Sequence, residues 1–418
     1  MITPQASCTD INESGLIPFQ EAQKTISESI QSLEDRQKIA IETAKSRCLA
    51  EDIISPMNVP RHNNSAVDGY ALHSADLPKA NQSITLIIQA TVLAGEIVST
   101  VCKVGHCIRI MTGAAMPKGL DTVIMQEHCE RIDNTIRIDD RHHTGQNVRL
   151  AGEDLKADSL VLQAGKYLCP ADIGLLASLG IAEVSVKRKL RIAIASTGNE
   201  ISAISTPLVE GNIYDSNRYS LLAALDRADI EVFNLGIIKD DTADLLKTFN
   251  DAADYADVII SSGGVSVGEA DFTKAALKSE GQIDFWKVAV KPGRPIAFGK
   301  IKNCDFFGLP GNPVAVLVTF YQFVLPALEK KLGLINKPIA PTFKAKSLED
   351  IRKRVGRTEI QRGIVSQSSS GELQVTTGKQ GSGILSSMSL ANAFIILRDE
   401  QASVKKGDFV EVQLFSTL

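Results

Sequence analysis

Asp257-Val258-Ile259-Ile260-Ser261-Ser262-Gly263-Gly264-Val265-Ser266-Val267-Gly268-Glu269-Ala270-Asp271 is the stretch that decides how this chain is read. Its opening residues, Asp257–Ile260, predict a strand. A helix is predicted over Phe272–Lys278, directly after the glycines end. Strand, glycine loop and helix form the repeating unit of a parallel sheet with helices on both faces. Glycines at such a turn leave backbone N–H groups able to face an anion, and the start of a helix adds partial positive charge. Glycine richness alone fits a turn that binds nothing equally well. Glu269 and Asp271 tip the balance. Carboxylates beside a phosphate repel it unless a divalent cation lies between them, so a phosphate with a metal is the economical reading.

The same rhythm extends to either side. Predicted strands Arg191–Ala195, Ile230–Leu235 and Cys304–Leu309 alternate with predicted helices Ser220–Arg227, Asp244–Tyr255 and Pro313–Lys331. The last has Asn312 as its cap and Pro313 in its first position. Ligands of such sheets bind beyond the carboxyl ends of the strands. Towards the N-terminus, Ile26, Ile30, Leu33 and Ile41 recur at helical spacing and predict a helix over Phe19–Ala44. Short β runs follow at Ile84–Ala90, Cys107–Met111, Thr122–Gln126 and Thr135–Ile138, with a hairpin turn at Asp133-Asn134. A helix over Ala171–Leu179 fits between Pro170 and Gly180. After Gly333 the chain is β again, with an alternating run at Phe409–Phe415.

Composition narrows the function. With 418 residues, 44% hydrophobic and 22% charged, the chain is of globular type and suited to about three domains. A net charge of −4 argues against a general nucleic-acid binder. Met1–Ser14 has no basic residue and no apolar run, and reads as a short disordered lead. Val314–Leu328 is broken by Thr319, Gln322 and Pro326 and falls short of a membrane span. Seven cysteines without a C-x-x-C pair suggest a reduced, cytoplasmic setting. All six histidines lie at or before His143, so a metal site in the later part must rely mainly on oxygen ligands, as Mg²⁺ does.

Other segments offer rival or supporting chemistry. Gly264 to Gly268 spells G-x-S-x-G, a nucleophile elbow with Ser266 as the nucleophile, but its catalytic histidine would have to follow and none does. Lys287, Lys291 and Arg294 gather in a loop stiffened by Pro292, Gly293 and Pro295. A solvated charge run is the usual explanation of such a loop; an oxyanion site is the sharper fit. Leu309-Pro310-Gly311-Asn312-Pro313 is a second strand–helix loop that could wall a crevice. Asn64–Tyr70 could be a plain Asp-Gly turn, and Thr112-Gly113 a loop tip. Gly378–Gly383 lacks the spacing of a Walker A loop, and no G-x-G-x-x-G occurs.

Taken together, the chain resembles the MoeA and gephyrin E-domain family of molybdopterin molybdenumtransferases along nearly its whole length. The matching segments are NNSAVDGYAL (63–72), IRIMTGA (108–114), RLAGED (149–154), SLGIAEV (178–184), STGNE (196–200), YDSNR (214–218), GIIKDD (236–241), SSGGVSVGEAD (261–271), WKVAVKPGRP (286–295) and GLPGNPV (308–314). The resemblance implies that adenylated molybdopterin is bound, its phosphoanhydride hydrolysed, and molybdate transferred to the dithiolene sulfurs with Mg²⁺ assisting. It implies a homodimer with shared active sites, in which Asp68 and Thr112 reach the partner's α/β domain. It also implies contacts with the molybdopterin adenylyltransferase and with apo-molybdoenzymes, and none with nucleic acid or membrane. By motif, Glu200, Asp240 and Asp271 are the metal and molybdate acids. Gly263, Gly264, Ser266, Gly268, Lys287, Lys291 and Arg294 bind substrate, Pro310 and Pro313 shape the wall, and Arg362 and Ser382 lie nearby. Asn199 stands where the family usually has Asp, which removes a charge but keeps an oxygen. Arg294 replaces a lysine.

The expected fold is multidomain α/β plus β, with a central three-layer α/β domain around a parallel-rich sheet. Its division is a lead at 1–14, a mixed helical and β domain at 15–54 plus 149–187, and an inserted β domain at 55–148. The α/β molybdopterin-binding domain spans 188–333, and a C-terminal β-barrel-like domain spans 334–418. Two rival functions remain. One is the adenylyltransferase that makes the substrate, which normally occurs as the α/β domain alone. The other is a gephyrin-type scaffold, which needs an attached second module.

Overall fold

The computed structural model describes residues 15–96, 101–263, 282–335 and 341–415. Glycine-loop residues Gly264, Ser266, Gly268, Glu269 and Asp271, and the predicted helix Phe272–Lys278, lie outside the described residues. The chain forms two compact units, one of Met1–Ala50, Gly165–Cys169 and Glu183–Leu418, the other of Glu51–Ala164 and Pro170–Ala182.

The first unit is built on a seven-stranded sheet. Its main strands are β1 (Leu190–Thr197), β2 (Ile230–Ile238), β3 (Val258–Ser262), β4 (Gln282–Val288), β5 (Pro295–Ile301) and β6 (Cys304–Leu309). Their order is β4-β5-β6-β3-β1-β2, with Leu16–Ile17 added beside β4. The run β6-β3-β1-β2 is parallel, while β5 is antiparallel to both of its neighbours. Buried strands carry apolar side chains on both faces, and each face here has its own core. Ile192, Ile194, Ile260, Phe307 and Leu309 pack with Leu221 of α1 (Ser216–Ala224) and with Leu225, which caps its C-terminal end. Val314, Val316 and Val318 of the helix beginning at Pro313 join the same core. On the opposite face, Ala193, Ala195, Ile259 and Phe306 pack with Leu245, Phe249 and Ala252 of α2 (Thr242–Ala253). That is the three-layer arrangement expected.

A second sheet in this unit closes on itself. Strands Thr358–Gln367, Leu373–Thr377, Thr342–Ser347, Phe409–Leu414 and Ala393–Leu397 follow one another, and the last pairs back to the first. The result is a five-stranded barrel filled by Ala345, Val375, Ile395, Val410 and Val412. Val290–Lys291 pairs in parallel with Thr358–Glu359, tying the basic loop to the barrel rim.

Several element boundaries differ from expectation. The helix predicted over Phe19–Ala44 ends at Ser29, and Arg36–Ala40 is a strand paired with Glu183–Lys187. Ile26 and Ile30 are buried as the spacing required, but a strand partner distant in sequence overrides helical spacing beyond them. Helix α1 starts at Ser216, not Ser220, because Asp215 accepts the Arg218 N–H at 3.2 Å. Helix α2 likewise starts early, with Asp241 accepting from Ala243 and Asp244. The Pro313–Lys331 helix is continuous but widens into a π turn at Phe320–Val324, just before Pro326, whose missing N–H cannot continue the α pattern. Asn312 occupies the cap position without making a side-chain cap bond.

The second unit holds a six-stranded sheet in the order Thr122–Met125, Gly69–Leu72, His106–Ile110, Ser83–Val92, Thr135–Asp139, Glu130–Ile132. Alternate residues face two clusters, Tyr70, Leu72 and Ile124 on one side and Ala71, Ile108 and Val123 on the other. Asp133 turns the predicted hairpin with a left-handed φ of 50°. Gly69 is not in a plain turn: it begins a strand, where a Cβ would lie 2.0 Å from the Ile124 carbonyl oxygen. The predicted helix after Pro170 runs over Pro170–Ser178, and Gly180 ends it with φ 72°.

Candidate active site at the carboxyl edge of the α/β sheet

Four neighbouring parallel strands end at one edge, and each hands the chain to a loop carrying expected site residues. Gly198-Asn199-Glu200 follows β1, Asp240 follows β2, Gly263 follows β3, and Pro310-Gly311-Asn312 follows β6.

The first two loops bind each other reciprocally. The Asn199 N–H donates to Asp240 Oδ2 at 3.3 Å, and the Asp240 N–H donates to Asn199 Oδ1 at 3.3 Å. Glu200 folds back towards Gly198, where a Cβ would meet its Oε2 at 2.7 Å. Glu200 and Asp240 therefore reach the same short loop. Among the described residues no group of three His, Cys, Asp or Glu could hold a metal. Two oxygen-only donors on two adjoining loops nevertheless suit part of a hard-cation site. The Asn199 oxygen is occupied by the backbone N–H of Asp240, so this residue shapes the loop.

Gly263 closes the third loop against the first. Its N–H donates to the Leu309 carbonyl at 3.1 Å, its φ is 94°, and a Cβ would lie 2.3 Å from the Thr197 carbonyl oxygen. No other residue fits there. Behind the edge, a polar network that sequence reasoning missed anchors α1. Ser196 Oγ donates to Asp215 Oδ1 at 2.8 Å, Arg218 Nε donates to Asp215 Oδ2 at 2.7 Å, and Arg218 Nη1 donates to Asn234 Oδ1 at 2.8 Å. The YDSNR segment had signalled it, but only through resemblance.

The basic loop has its own constraints. Lys287 lies opposite Pro295 in the β4–β5 pair, and the Val288 N–H donates to the Arg294 carbonyl at 2.9 Å. Lys291 Nζ lies 3.3 Å from both carboxylate oxygens of Glu359, a residue buried in the barrel wall. An oxyanion at Lys291 would therefore compete with a built-in carboxylate.

Arg362 is buried, and its guanidinium is spent on structure. It donates to Ser387 Oγ at 3.1 Å and to the carbonyls of Lys379 and Gly381 at 3.0 and 3.1 Å. Burial pushes its pKa down. The loop it folds ends at Ser382, whose carbonyl accepts the Val314 N–H at 3.1 Å. Ser382 thus meets the helix that starts at Pro313, while Pro310 is buried and Pro313 half-buried beside it.

In the other unit Asp68 and Thr112 form a pair. Asp68 Oδ1 accepts both the Thr112 N–H and its Oγ1 at 2.7 Å. The backbone bond, with the hydroxyl bond second, holds the Asp68 carboxyl below the usual carboxylate range. Both side chains are exposed.

This is a protein whose α/β domain is of the molybdopterin-binding class. Residues 193–330 match the probable molybdopterin binding domain. Residues 17–180 match the MoeA N-terminal region (domain I and II), and 344–415 match the MoeA C-terminal region (domain IV). The chain is 42% identical over 405 residues to a molybdopterin molybdenumtransferase of Haemophilus influenzae, covering 96% of this chain and 100% of that one. It is 35% identical to a molybdopterin molybdenumtransferase of a Nostoc species, over 92% of this chain and 90% of the relative. The crystal structure of the molybdopterin biosynthesis moeA protein from Pyrococcus horikoshii OT3 superposes with a TM-score of 0.84 at 31% identity, covering 96% and 100% of the two chains. The chain belongs to the MoeA family of molybdopterin molybdenumtransferases. Among the described residues no helix is long and apolar enough to cross a membrane.

Proposed function

We propose that this chain is a cytoplasmic transferase that inserts molybdenum into adenylated molybdopterin, a late step of molybdenum cofactor biosynthesis. The observation that carries the reading is the end-to-end relationship to proteins named for that activity. In the reaction, water cleaves the phosphoanhydride to release AMP, and molybdate, as substrate, forms bonds to the two dithiolene sulfurs as two of its oxygens leave as hydroxide with the thiol protons.

The crevice beyond β6, β3, β1 and β2 receives the substrate. Gly263, Gly264, Ser266 and Gly268 would cradle its phosphate, with Pro310 and Pro313 as the wall and Arg362 and Ser382 shaping the loop that meets it. Lys287, Lys291 and Arg294 neutralise phosphate and oxyanion charge. Glu200, Asp240 and Asp271 would hold Mg²⁺, which when bound offsets developing phosphate charge. The same carboxylates orient the attacking water. Asp68 and Thr112 are assigned to the crevice of a second copy, in a homodimer with shared active sites. Further partners are the adenylyltransferase that supplies the substrate and the apo-enzymes that receive the product. Mg²⁺, the dimer and these residue roles belong to this proposal. So does the domain division at residues 55, 149, 188 and 334.

The test is molybdate- and Mg²⁺-dependent AMP release from adenylated molybdopterin by the purified chain. Glu200→Gln, Asp240→Asn and Asp271→Ala should each lower the rate by about 100-fold or more, in the range of lost electrostatic stabilisation. Wild-type rates from Asp271→Ala would sink the site, and ATP-dependent adenylation of free molybdopterin would favour the adenylyltransferase.

A further inference from the structure

Asn217 is the second residue of α1, directly after the Asp215 anchor and the cap-following Ser216. Its Nδ2 lies 2.9 Å from Ser262 Oγ, at the end of β3, and 2.7 Å from the Gly311 carbonyl oxygen, in the loop after β6. A carbonyl can only accept, so the nitrogen end of the amide must face Gly311. That fixes the orientation of the whole side chain. Its Oδ1 is turned the other way and is buried without a hydrogen-bond partner among the described residues, as is Thr197 Oγ1 at the end of β1. One side chain thus joins the end of β3 to the loop after β6, from an element that belongs to neither.

We propose that Asn217 is a positioning residue for the reaction: its amide nitrogen clamps the end of β3 to the loop after β6, so that substrate meets a preset crevice. The inference rests on the proposed molybdenum-insertion reading. The main-chain bond from Gly263 to Leu309 ties the two strand ends, and Asn217 adds a side-chain tie from Ser262, the last residue of β3, to Gly311 in the loop after β6. Ser216 and Arg218 cannot replace it. Arg218 is committed to Asp215 and Asn234, and no other side chain is recorded bridging Ser262 and Gly311 among the described residues. Reaction geometry is steep in distance, so a loop displaced by about 1 Å costs on the order of 100-fold in rate.

The experiment compares wild type, Asn217→Ala, Asn217→Asp and Ser262→Ala by AMP release, by urea unfolding and by amide hydrogen exchange. Aspartate keeps the shape and the acceptor but has no nitrogen to donate, so it should fail as alanine does. Both Asn217 variants should lose about 10- to 100-fold in kcat. KM should change less, and the urea midpoint should stay near that of wild type. Exchange at the Gly263 and Val314 amides, which donate to the Leu309 and Ser382 carbonyls, should quicken. Ser262→Ala, which severs the clamp at its β3 end, should lower kcat in the same direction by at least about fivefold, the scale of one neutral hydrogen bond, and a wild-type rate from it counts against the proposal. If Asn217→Asp works at the wild-type rate, or if exchange at those amides is unchanged, the proposal is overturned. A kcat loss accounted for entirely by unfolded protein overturns it as well. A wild-type chain that releases no AMP removes the function reading and this one with it, whereas an active wild type with unaffected Asn217 variants removes this one alone.

Discussion

Replacing Gly263 by alanine tests whether the crevice is set by close backbone approach. The added Cβ would lie 2.3 Å from the Thr197 carbonyl oxygen and 3.0 Å from Thr197 Oγ1. Real Cβ contacts stay at or above 3.0 Å, so the end of β3 must move by at least 0.7 Å from β1. A φ of 94° adds strain, about 1–2 kcal/mol for a residue with a side chain. Moving the strand end also weakens the Gly263 to Leu309 hydrogen bond, a further loss of about 1 kcal/mol. The expected destabilisation is about 2–3 kcal/mol, read as a lowered urea midpoint with an unchanged slope. Trp286, the one tryptophan of the chain, sits in β4 of the same sheet and reports the transition by fluorescence. At a urea concentration where the variant remains folded, kcat for AMP release should fall by about 100-fold, since the loop after β3 has shifted. A Gly263→Ala protein with wild-type midpoint and wild-type kcat would refute the argument.

Gly69→Ala should damage the second unit in the same manner. Its Cβ would fall 2.0 Å from the Ile124 carbonyl oxygen, so a loss of about 2–4 kcal/mol is expected in urea unfolding. Lys331→Met should cost about 2–4 kcal/mol, because Lys331 Nζ is 2.7 Å from Asp305 Oδ2 and the variant leaves the buried carboxylate only the longer 3.9 Å ion pair from Lys300. Adding Asp305→Asn should recover much of that loss, and additive losses would contradict the pairing. Asp139 is held at about 2, first by its hydrogen bonds from Arg141. Its folded pKa is depressed, so its contribution is present above pH 4 or so and disappears as pH falls towards 2. Carboxyl NMR titration should show Arg141→Gln returning Asp139 to the ordinary aspartate range.

The fold was legible wherever one local pattern sufficed. Cys304–Leu309 matches its expected span residue for residue, because an apolar run stops at Pro310. The alternation of strands and helices after Leu190 likewise carried the parallel sheet and the edge at which the loops gather. What escaped depended on partners remote in sequence. Arg36–Ala40 became a strand through residues near 185, and α1 moved because its cap, Asp215, was not read as one. Asn217 meets Gly311 across 94 positions, and no local spacing announces such a bond. Lys291 is the sharper lesson. Its charge and setting suggested an oxyanion site, yet the carboxylate that already faces it lies 68 positions away in a barrel strand.

That carboxylate changes how the charged residues are understood as a set. A lysine side chain is long and flexible, and ordering it costs about 1.5–2 kcal/mol of rotamer freedom. With Glu359 3.3 Å away on a barrel strand, Lys291 has a defined place before any ligand arrives. Asp68 is held by two donors from Thr112, and Asp240 by the backbone of Asn199. Each of these bonds holds the polar end of its side chain and leaves it only partly covered, since Lys291, Asp68 and Asp240 all remain exposed or half-exposed. Groups fixed in advance and still open to solvent stabilise developing charge without having to reorganise when it appears. Lys291, Asp68 and Asp240 are therefore each held by a neighbour within their own unit before any ligand arrives. For Lys291 that neighbour, Glu359, is itself placed by strand pairing, which links the orientation of the lysine back to the β register.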